Sequence, residues 1–309
     1  MPTLKICASI LFPLPLPEAF DYAVPEGMDL SIGDHVTAPL GNRMARGVVW
    51  DLKQDKGERA LKSVADRYDA AGLSHTTVRF VDWASRYLVQ PPGLILRTIL
   101  RGEDSLMPSP TDTVYRLTGR PPARMTPARE KVLDAMQALE APTAAEIARE
   151  AGVSSGVVKG LVDAGGLESF ALPVDPPFPE PDAGRTGLTL SELQAGAADT
   201  LRRLVRAGGF QCALLDGVTG SGKTEVYFEA IAEALQSAAN GQILVLLPEI
   251  ALTQSILKRF EDRFGAAPAV WHSGLPPKER RRVWREINEG RARIVIGARS
   301  SVLLPFRNL

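Results

Sequence analysis

Gly217-Val218-Thr219-Gly220-Ser221-Gly222-Lys223-Thr224 is the stretch that decides the fold of the C-terminal part of this chain. It fits the pattern G-x-x-x-x-G-K-[ST], in which glycines permit a loop whose backbone N–H groups surround phosphate oxygens. Lys223 supplies a positive charge to the same oxygens, and the Thr224 hydroxyl is the expected Mg²⁺ ligand. An apolar stretch before the loop and a helix-forming stretch after it favour a nucleotide-phosphate site over a glycine-rich turn with an exposed lysine.

Apolar and helical segments alternate around this loop. The predicted buried strands are 212–215, 243–247, 269–271 and 294–296, and the predicted helices are 225–236, 253–264 and 278–288. Alternation of this kind predicts a parallel sheet with helices on both faces. We therefore expect residues 188–309 to form a P-loop lobe with a parallel sheet; that this lobe is RecA-like and incomplete is what the family resemblance given below implies.

The first part of the chain, residues 1–105, begins with strand-like segments. They are predicted at 4–8, 36–40 and 46–52, and a helix is predicted at 76–89, ended by Pro91-Pro92-Gly93. Gly-containing turns separate the strands, which is typical of a small barrel or an open sheet.

Residues 106–172 show a helix-turn-helix pattern. Three short helices follow the cap residues Thr126, Thr143 and Ser154, which predicts a winged-helix domain. Such a unit either reads DNA bases or only joins domains, and its recognition helix has one basic residue, Lys159. Residues 173–187 contain five prolines and predict an extended linker. The sequence as a whole predicts a multidomain α/β protein.

Composition excludes several classes of protein. The 309 residues carry 36 Lys plus Arg and 36 Asp plus Glu, which excludes a uniformly basic nucleic-acid coat. Two cysteines, Cys7 and Cys212, and three histidines argue against a disulfide scaffold and against zinc ligands in this chain. No apolar run reaches the roughly 18 residues that span a membrane, and no signal-peptide pattern opens the chain. We expect a cytoplasmic protein with no membrane partner.

Two features near the P-loop have two readings each. The basic run from Lys278 to Arg285 is either a contact for a phosphate backbone or a solvated helix face. Ser191 and Gln194 fit an N-terminal capping box, while a glutamine amide can also pair with adenine N6 and N7.

Longer motifs in both halves of the chain carry a family resemblance. In the C-terminal half these motifs are Asp216 to Tyr227, Leu247 to Thr253, His272 to Leu275 and Ile296 to Ser301. In the N-terminal half they are Phe20 to Tyr22, Gly33 to Val36, Pro39 to Gly41 and Arg46 to Val49. Together they resemble the PriA (primosomal protein N′) family of replication-restart DNA helicases, in superfamily 2. Leu40 stands where this family usually has Phe.

The resemblance implies a role for each matching position. Gln194 would read adenine, residues 217–224 would hold ATP with Mg²⁺, and two loops, 248–253 and 297–300, would touch single-stranded DNA. In those loops the implied DNA contacts are Thr253, Arg299 and Ser300. In the N-terminal domain a pocket for a DNA 3′ end would be formed by Phe20, Asp21, Gly41 and Lys62. The other reading makes Phe20 a core residue, Asp21 a turn cap and Lys62 a solvated side chain.

The family continues past the position of Leu309 into an acidic D-E-x-H box, a second helicase lobe and a paired-cysteine zinc ribbon. The resemblance therefore implies that these residues are an N-terminal fragment that binds DNA and nucleotide without hydrolysing ATP, with zinc only in the missing part.

The implied function is that of an ATP-dependent 3′→5′ DNA helicase for replication restart and primosome assembly at stalled forks. Forked and single-stranded DNA, other primosome proteins and single-strand-binding protein are the implied partners. The alternative is a non-catalytic fork-binding protein with a vestigial nucleotide site. A P-loop kinase or transport ATPase is disfavoured because neither explains the first 187 residues.

Overall fold

The computed structural model describes residues 6–55, 57, 60–100, 105–107, 110–122, 124–175, 177–248 and 253–309. Residues 110–175 form one compact unit, and the rest of the described chain forms a second. The first sheet along the chain is antiparallel and the last is parallel. The predicted multidomain α/β architecture is therefore confirmed.

The N-terminal domain is a five-stranded antiparallel sheet in the order β2-β1-β4-β3-β5. Its strands are β1 (Ile6–Leu11), β2 (Phe20–Ala23), β3 (His35–Leu40), β4 (Arg43–Gln54) and β5 (Asp66–Arg67). The chain before β5 reaches the opposite edge, where Ser63 bridges Ala23 and the Ala23 N–H donates to the Lys62 carbonyl oxygen at 2.9 Å. Because this segment joins both edges, the sheet closes into a small barrel. Leu4 and Lys5 of the first predicted strand lie outside the described residues.

The interior of this barrel is apolar and crossed by one polar link. Ile10, Phe12 and Val36 are fully buried within it. The Tyr22 hydroxyl donates to the Pro39 carbonyl oxygen at 3.0 Å, which ties β2 to β3 across the barrel. Burial raises the pKa of the Tyr22 phenol, so this group stays a hydrogen-bond donor at neutral pH.

Two helices follow the barrel: α1 (His75–Leu88) and α2 (Pro92–Ile99). The Ser74 hydroxyl caps α1 by accepting from the Thr77 N–H at 3.2 Å. The predicted stop at Pro91 and Pro92 is correct for α1, but Pro92 also begins α2, which the sequence reading missed. Proline suits the first position of a helix, where its missing N–H has no partner to lose.

Residues 110–175 form a three-helix unit with a two-stranded antiparallel sheet. Its elements are β6 (Thr111–Leu117), α3 (Pro127–Ala138), α4 (Ala144–Ala151), α5 (Ser155–Asp163) and β7 (Leu167–Pro173). The capping box predicted at Thr143 is present, since Glu146 N–H and Thr143 N–H each donate to the other residue's side chain. Strand β6, which pairs with β7 along seven residues, was not predicted.

The C-terminal lobe is a three-stranded parallel sheet in the order β8-β10-β9, with helices around it. Its elements are α6 (Glu192–Ala207), α7 (Lys223–Ser237), β8 (Ile243–Leu246), α8 (Gln254–Phe264), β9 (Ala269–Trp271), α9 (Pro277–Asn288) and β10 (Ile294–Gly297), followed by a 3₁₀ turn at Arg299–Leu303. Ile294 and Ile296 pack with α7 and α8, whereas Val295 packs with α9. Helices thus cover both faces of the sheet, as predicted.

One predicted strand is wrong. Residues 211–218 have no regular structure, Cys212 is exposed, and Leu214 is 93 % exposed. An apolar run becomes a buried strand only where neighbouring strands pair with its backbone, and no strand among the described residues pairs with it. Apolarity alone could not reveal this missing partner.

A continuous core joins the barrel and its two helices to the C-terminal lobe. Trp284 in α9 is 1 % exposed, and its indole N–H donates to the Ile99 carbonyl oxygen at 2.9 Å. Its ring lies 6.3 Å from that of His35 in the barrel. Asn288 donates to the Ala71 carbonyl oxygen at 2.6 Å. These contacts hold the barrel and the lobe as parts of one compact unit.

The proline-rich segment has no helix or strand over the described residues 177–187, but it packs against the lobe. The Arg282 guanidinium lies 4.4 Å from the ring centre of Phe178, and Arg293 forms an ion pair with Glu180 at 2.5 Å. The Asp182 N–H donates to the Phe264 carbonyl oxygen at 2.8 Å. The segment is therefore anchored along the surface of the lobe, with a turn at residues 183–184, and its role as an extended linker stays a prediction.

Candidate functional site

The loop at residues 217–224 has the geometry of a phosphate cradle. Gly220 and Gly222 adopt left-handed φ angles of 83° and 81°, which favour glycine strongly. Gly222 is the N-cap of α7 and provides no side-chain cap, so the first-turn N–H groups of this helix are not taken by a capping side chain. Such N–H groups and the helix dipole favour an anion at this end.

Lys223 places its charge inside this loop. Its Nζ donates to the carbonyl oxygens of Gly217 and Val218, the latter at 3.0 Å. Thr224 follows in the first turn of α7 and is half-buried. The cation, the glycine backbone and the open helix end together fit a nucleotide triphosphate, and a neighbouring hydroxyl fits a Mg²⁺ ion bound with it.

Gln194 connects helix α6 to the loop. Its Oε1 accepts from the Ser191 N–H at 2.9 Å, and the Ser191 hydroxyl accepts from the Gln194 N–H, so the predicted capping box is present. Its Nε2 donates to the Ser221 carbonyl oxygen at 2.9 Å. A Cβ at Gly222 would come within 2.3 Å of this Nε2. Both ends of the Gln194 amide are therefore engaged, and its assignment as an adenine reader stays a prediction.

A groove of about 790 Å³ lies at the carboxyl ends of the three parallel strands. It is lined by Leu246, Leu247, Pro248, Ser273, Ala298, Arg299 and Ser300. Arg299 and Ser300, predicted to contact DNA, are exposed there. Thr253 is the exposed N-cap of α8, and residues 249–252 of the same predicted loop lie outside the described residues. A cationic side chain beside hydroxyls at this edge can bind a phosphodiester backbone.

The loop after β9 contributes Ser273 to this groove, a residue the sequence reading did not select. The His272 Nδ1 accepts from the Gly274 N–H at 3.1 Å, and Arg280 donates to the carbonyl oxygens of Ser273 and Leu275 at 2.6 and 3.2 Å. In the sequence, the motif at residues 272–275 carries the family resemblance but no residue role. Its place at the end of a parallel strand was the signal that could have identified it.

The second candidate site is on the barrel, where two of the four predicted residues meet. Lys62 Nζ donates to the Gly41 carbonyl oxygen at 3.2 Å. Gly41 has a left-handed φ of 63°, and a Cβ there would meet no atom within 4 Å. The backbone of Lys62 lies against Ala23, two residues after Asp21. The closure of the barrel therefore brings the β3–β4 turn, Lys62 and β2 to the same region.

Phe20 and Asp21 are adjacent in β2 and project to opposite faces of the sheet. Phe20 is 38 % exposed, and its ring centre lies 6.4 Å from that of Phe12. The Asp21 carboxylate accepts from Ser9 Oγ at 2.7 Å and from Lys53 Nζ at 3.1 Å. Part of the Phe20 side chain thus packs on the barrel core, while the exposed part is available for stacking.

Ser9 and Lys53 were missed by the sequence reading. Ser9 lies directly opposite Asp21 in the β1–β2 ladder, and Lys53 pairs with Cys7 in the β1–β4 ladder. Both partners of Asp21 thus come from neighbouring strands on one face of the sheet. The register that aligns them depends on the loop of residues 12–19, whose length and composition do not specify it.

Two negative findings bear on partners and metals. Among the described residues, no group of three or more His, Cys, Asp or Glu side chains is placed so that it could hold a metal ion. No helix in the described part of the chain is both long and apolar enough to cross a membrane.

Comparison with known proteins finds two domain families in this chain. The family described as 3′DNA-binding domain (3′BD) matches residues 9–101, and the family described as DEAD/DEAH box helicase matches residues 193–308. The first range covers the barrel from Ser9 onward, and the second contains the P-loop and the groove.

Several curated relatives carry the name Replication restart protein PriA. The one from Haemophilus influenzae is 34 % identical over 318 positions, covering 96 % of this chain and 42 % of the relative. The one from Rickettsia conorii is 29 % identical over 98 % of this chain and 36 % of the relative. The one from Bacillus subtilis is 39 % identical over 54 % of this chain and 21 % of the relative. The family resemblance predicted from the sequence is confirmed, and the chain spans about two-fifths of the length of the relatives it matches throughout.

Proposed function

We propose that this chain, which resembles the replication restart proteins PriA and carries a 3′DNA-binding domain and a DEAD/DEAH box helicase segment, binds a DNA 3′ end and ATP. It would do so as part of an ATP-dependent 3′→5′ DNA helicase that restarts replication and assembles a primosome at stalled forks. The observation that carries the proposal is the meeting of Lys62 and Gly41 within the range matched by the 3′DNA-binding domain. The domain division 1–105, 106–172 and 188–309, joined by 173–187, remains part of the proposal.

At the P-loop, ATP would be held by residues 217–224. Lys223 would neutralise phosphate charge, the backbone N–H groups at the start of α7 would bind phosphate oxygens, and Thr224 would ligate Mg²⁺. Hydrolysis also needs a carboxylate that activates water. The two carboxylates flanking the loop are already engaged, since Asp216 accepts from the Gly217 N–H at 2.8 Å and Glu225 pairs with Arg259 at 2.5 Å. As the family resemblance implies, we expect these 309 residues to bind ATP without DNA-stimulated turnover.

The groove at the ends of the parallel strands would hold single-stranded DNA. Arg299 offers a charged donor to a phosphate, and Ser300 and Thr253 offer hydroxyls. The groove and the barrel belong to one compact unit, so a strand in the groove and a 3′ end at the barrel would be held in a fixed geometry.

At the barrel, recognition of the DNA end would depend on complementary groups. The exposed part of Phe20 can stack on a base, and Lys62 can bind the adjacent phosphate. The Asp21 carboxylate can accept a hydrogen bond from a terminal 3′-OH and repels a 3′-phosphate. The open space over Gly41 admits a nucleotide close to the backbone.

The proposed partners follow from the same assignment. They are forked and single-stranded DNA, other primosome proteins and single-strand-binding protein. Work on forks would place the protein in the cytoplasm, and any zinc would belong to other parts of the complete helicase.

The proposal is tested by measuring the affinity of the chain for forked DNA whose leading strand ends in 3′-OH or in 3′-phosphate. We expect tighter binding to the 3′-OH end, by about 1.5–3 kcal/mol, the value of a hydrogen bond to a charged group. Asp21→Ala should remove this preference, and Lys62→Ala should weaken binding to both ends and reduce its salt dependence. Equal affinity for both ends, unchanged by Asp21→Ala, would refute the assignment of the pocket.

A non-catalytic fork-binding protein with a vestigial nucleotide site is the second candidate. The exposed, irregular chain at residues 211–218 favours it, because a P-loop normally follows a buried strand. ATP binding that Lys223→Ala does not weaken would support this candidate over the helicase.

A further inference from the structure

We infer that Ser9 and Lys53 are positioning residues for the Asp21 carboxylate, and that together they set the preference of the barrel for a 3′-hydroxyl. This inference rests on the proposed function of the barrel as a DNA 3′-end site. Both side chains donate to the same atom, Asp21 Oδ1, at 2.7 and 3.1 Å. Neither residue belongs to the set that the family resemblance assigned to this site.

The buried environment of Ser9 indicates that its hydroxyl is there to form a hydrogen bond. Ser9 is only 4 % exposed, yet it lies in a strand whose other buried positions are apolar. A buried hydroxyl is unfavourable unless it is hydrogen-bonded, and this one donates to the carboxylate directly opposite in the ladder. The terminal torsion of an aspartate is broad, so the hydrogen bond from Ser9 selects one orientation of the carboxylate.

Lys53 acts on the charge of the same group. The side chains of Lys53 and Asp21 are 46 % and 26 % exposed, and an ion pair at that exposure contributes little to folding. Its effect on binding is larger, because an uncompensated carboxylate would repel the phosphodiester that precedes a terminal nucleotide. The positive charge of Lys53 offsets the repulsion between Asp21 and this phosphate. Asp21 can then accept a hydrogen bond from the terminal 3′-OH.

These two effects predict different signatures. Ser9 fixes the direction of an acceptor, so its loss should reduce discrimination between an end that has a 3′-OH and one that lacks it. Lys53 fixes direction and balances charge, so its loss should reduce discrimination and also weaken binding of both ends. A purely structural role would change the unfolding midpoint and leave the ratio of the two affinities unchanged.

The test compares a recessed DNA end terminating in 3′-OH with the same DNA terminating in a 2′,3′-dideoxynucleotide, by fluorescence anisotropy on the full chain. We expect wild type to prefer the 3′-OH end by about tenfold, as one hydrogen bond to a charged group gives. Ser9→Ala and Lys53→Gln should each lower this ratio to about threefold or less. Ser9→Thr keeps the hydroxyl and Lys53→Arg keeps a charged donor, so both variants should retain the ratio.

Two controls make the outcome decisive. Arg79→Gln removes one positive charge from an exposed position in α1 of the same compact unit and should leave the ratio unchanged. Asp21→Asn tests the pocket itself. If wild type prefers the 3′-OH end and Asp21→Asn loses that preference, an unchanged ratio in both Ser9→Ala and Lys53→Gln overturns this inference alone. If wild type shows no preference, the proposed function of the barrel fails and this inference fails with it.

Discussion

Replacing Trp284 tests whether the barrel and the P-loop lobe are one structural body. Its indole is 1 % exposed in the core that joins the two, close to His35 of the barrel. Removal of a buried tryptophan side chain costs about 3–5 kcal/mol. Trp284→Ala also removes the donor to the carbonyl oxygen of Ile99, a residue that is 1 % exposed. Leaving a buried acceptor without a partner costs about a further 1–3 kcal/mol.

The summed loss approaches the whole stability of a typical domain, about 5–15 kcal/mol. We therefore expect Trp284→Ala to let the barrel and the lobe unfold in separate transitions, and Trp284→Phe to cost about 1–3 kcal/mol because it keeps most of the apolar contact. Urea titrations followed by far-UV circular dichroism and by fluorescence measure this. All four tryptophans lie in the unit that holds the barrel and the lobe, so fluorescence should show one transition in wild type and two in Trp284→Ala.

Trp83→Ala is the matched control for this substitution. Trp83 lies in α1 and is 55 % exposed, so the same truncation removes far less buried surface. We expect its loss of stability to stay below about 1.5 kcal/mol. If Trp284→Ala destabilises the chain no more than Trp83→Ala does, the idea of a shared core is refuted.

Two further predictions concern polar side chains, one buried in the barrel and one half-buried beside the P-loop. His35 is fully buried, its ring nitrogens have no hydrogen-bond partner among the described residues, and burial, with Arg46, lowers its pKa to about 3. In the unfolded chain the pKa of this histidine is near 6.5, so it binds a proton that the folded chain excludes. The free energy of unfolding should therefore fall by about 2 kcal/mol from pH 7 to pH 5 and continue to fall toward pH 3. His35→Leu should remove this part of the pH dependence in urea titrations; an unchanged slope would contradict the assignment. Gln194→Glu keeps the acceptor that caps Ser191 but places a carboxylate oxygen against the Ser221 carbonyl oxygen. ATP affinity, measured by calorimetry, should therefore fall about tenfold while the helix content is retained. Full ATP affinity would show that this contact does not position the loop.

The sequence predicted local structure well where one segment contains its own signal. The glycines of the P-loop, the capping boxes at Thr143 and Ser191 and the apolar faces of α7 and α9 each need only neighbouring residues to be recognised. The family resemblance added the barrel residues Phe20, Asp21, Gly41 and Lys62, whose separation in the chain gives no local signal. Their assignment still awaits binding measurements.

The errors came from partners that lie far away in sequence. Residues 212–215 have the composition of a buried strand but no paired strand in the described part of the chain. Strand β6 was missed because its partner β7 follows 50 residues later. The contacts of Asp21 with Ser9 and Lys53 depend on the register of two ladders, which composition does not determine.

Hydrogen–deuterium exchange of the whole chain, with and without a DNA strand ending in 3′-OH, tests the central claim most directly. The claim is that the closed barrel contains the DNA-end site. Binding should slow exchange at amides 20–23, 40–43 and 61–64, and a strand ending in 3′-phosphate should protect these amides less. Protection confined to the groove at residues 246–248 and 298–300, or to the unit at residues 110–175, would contradict the account.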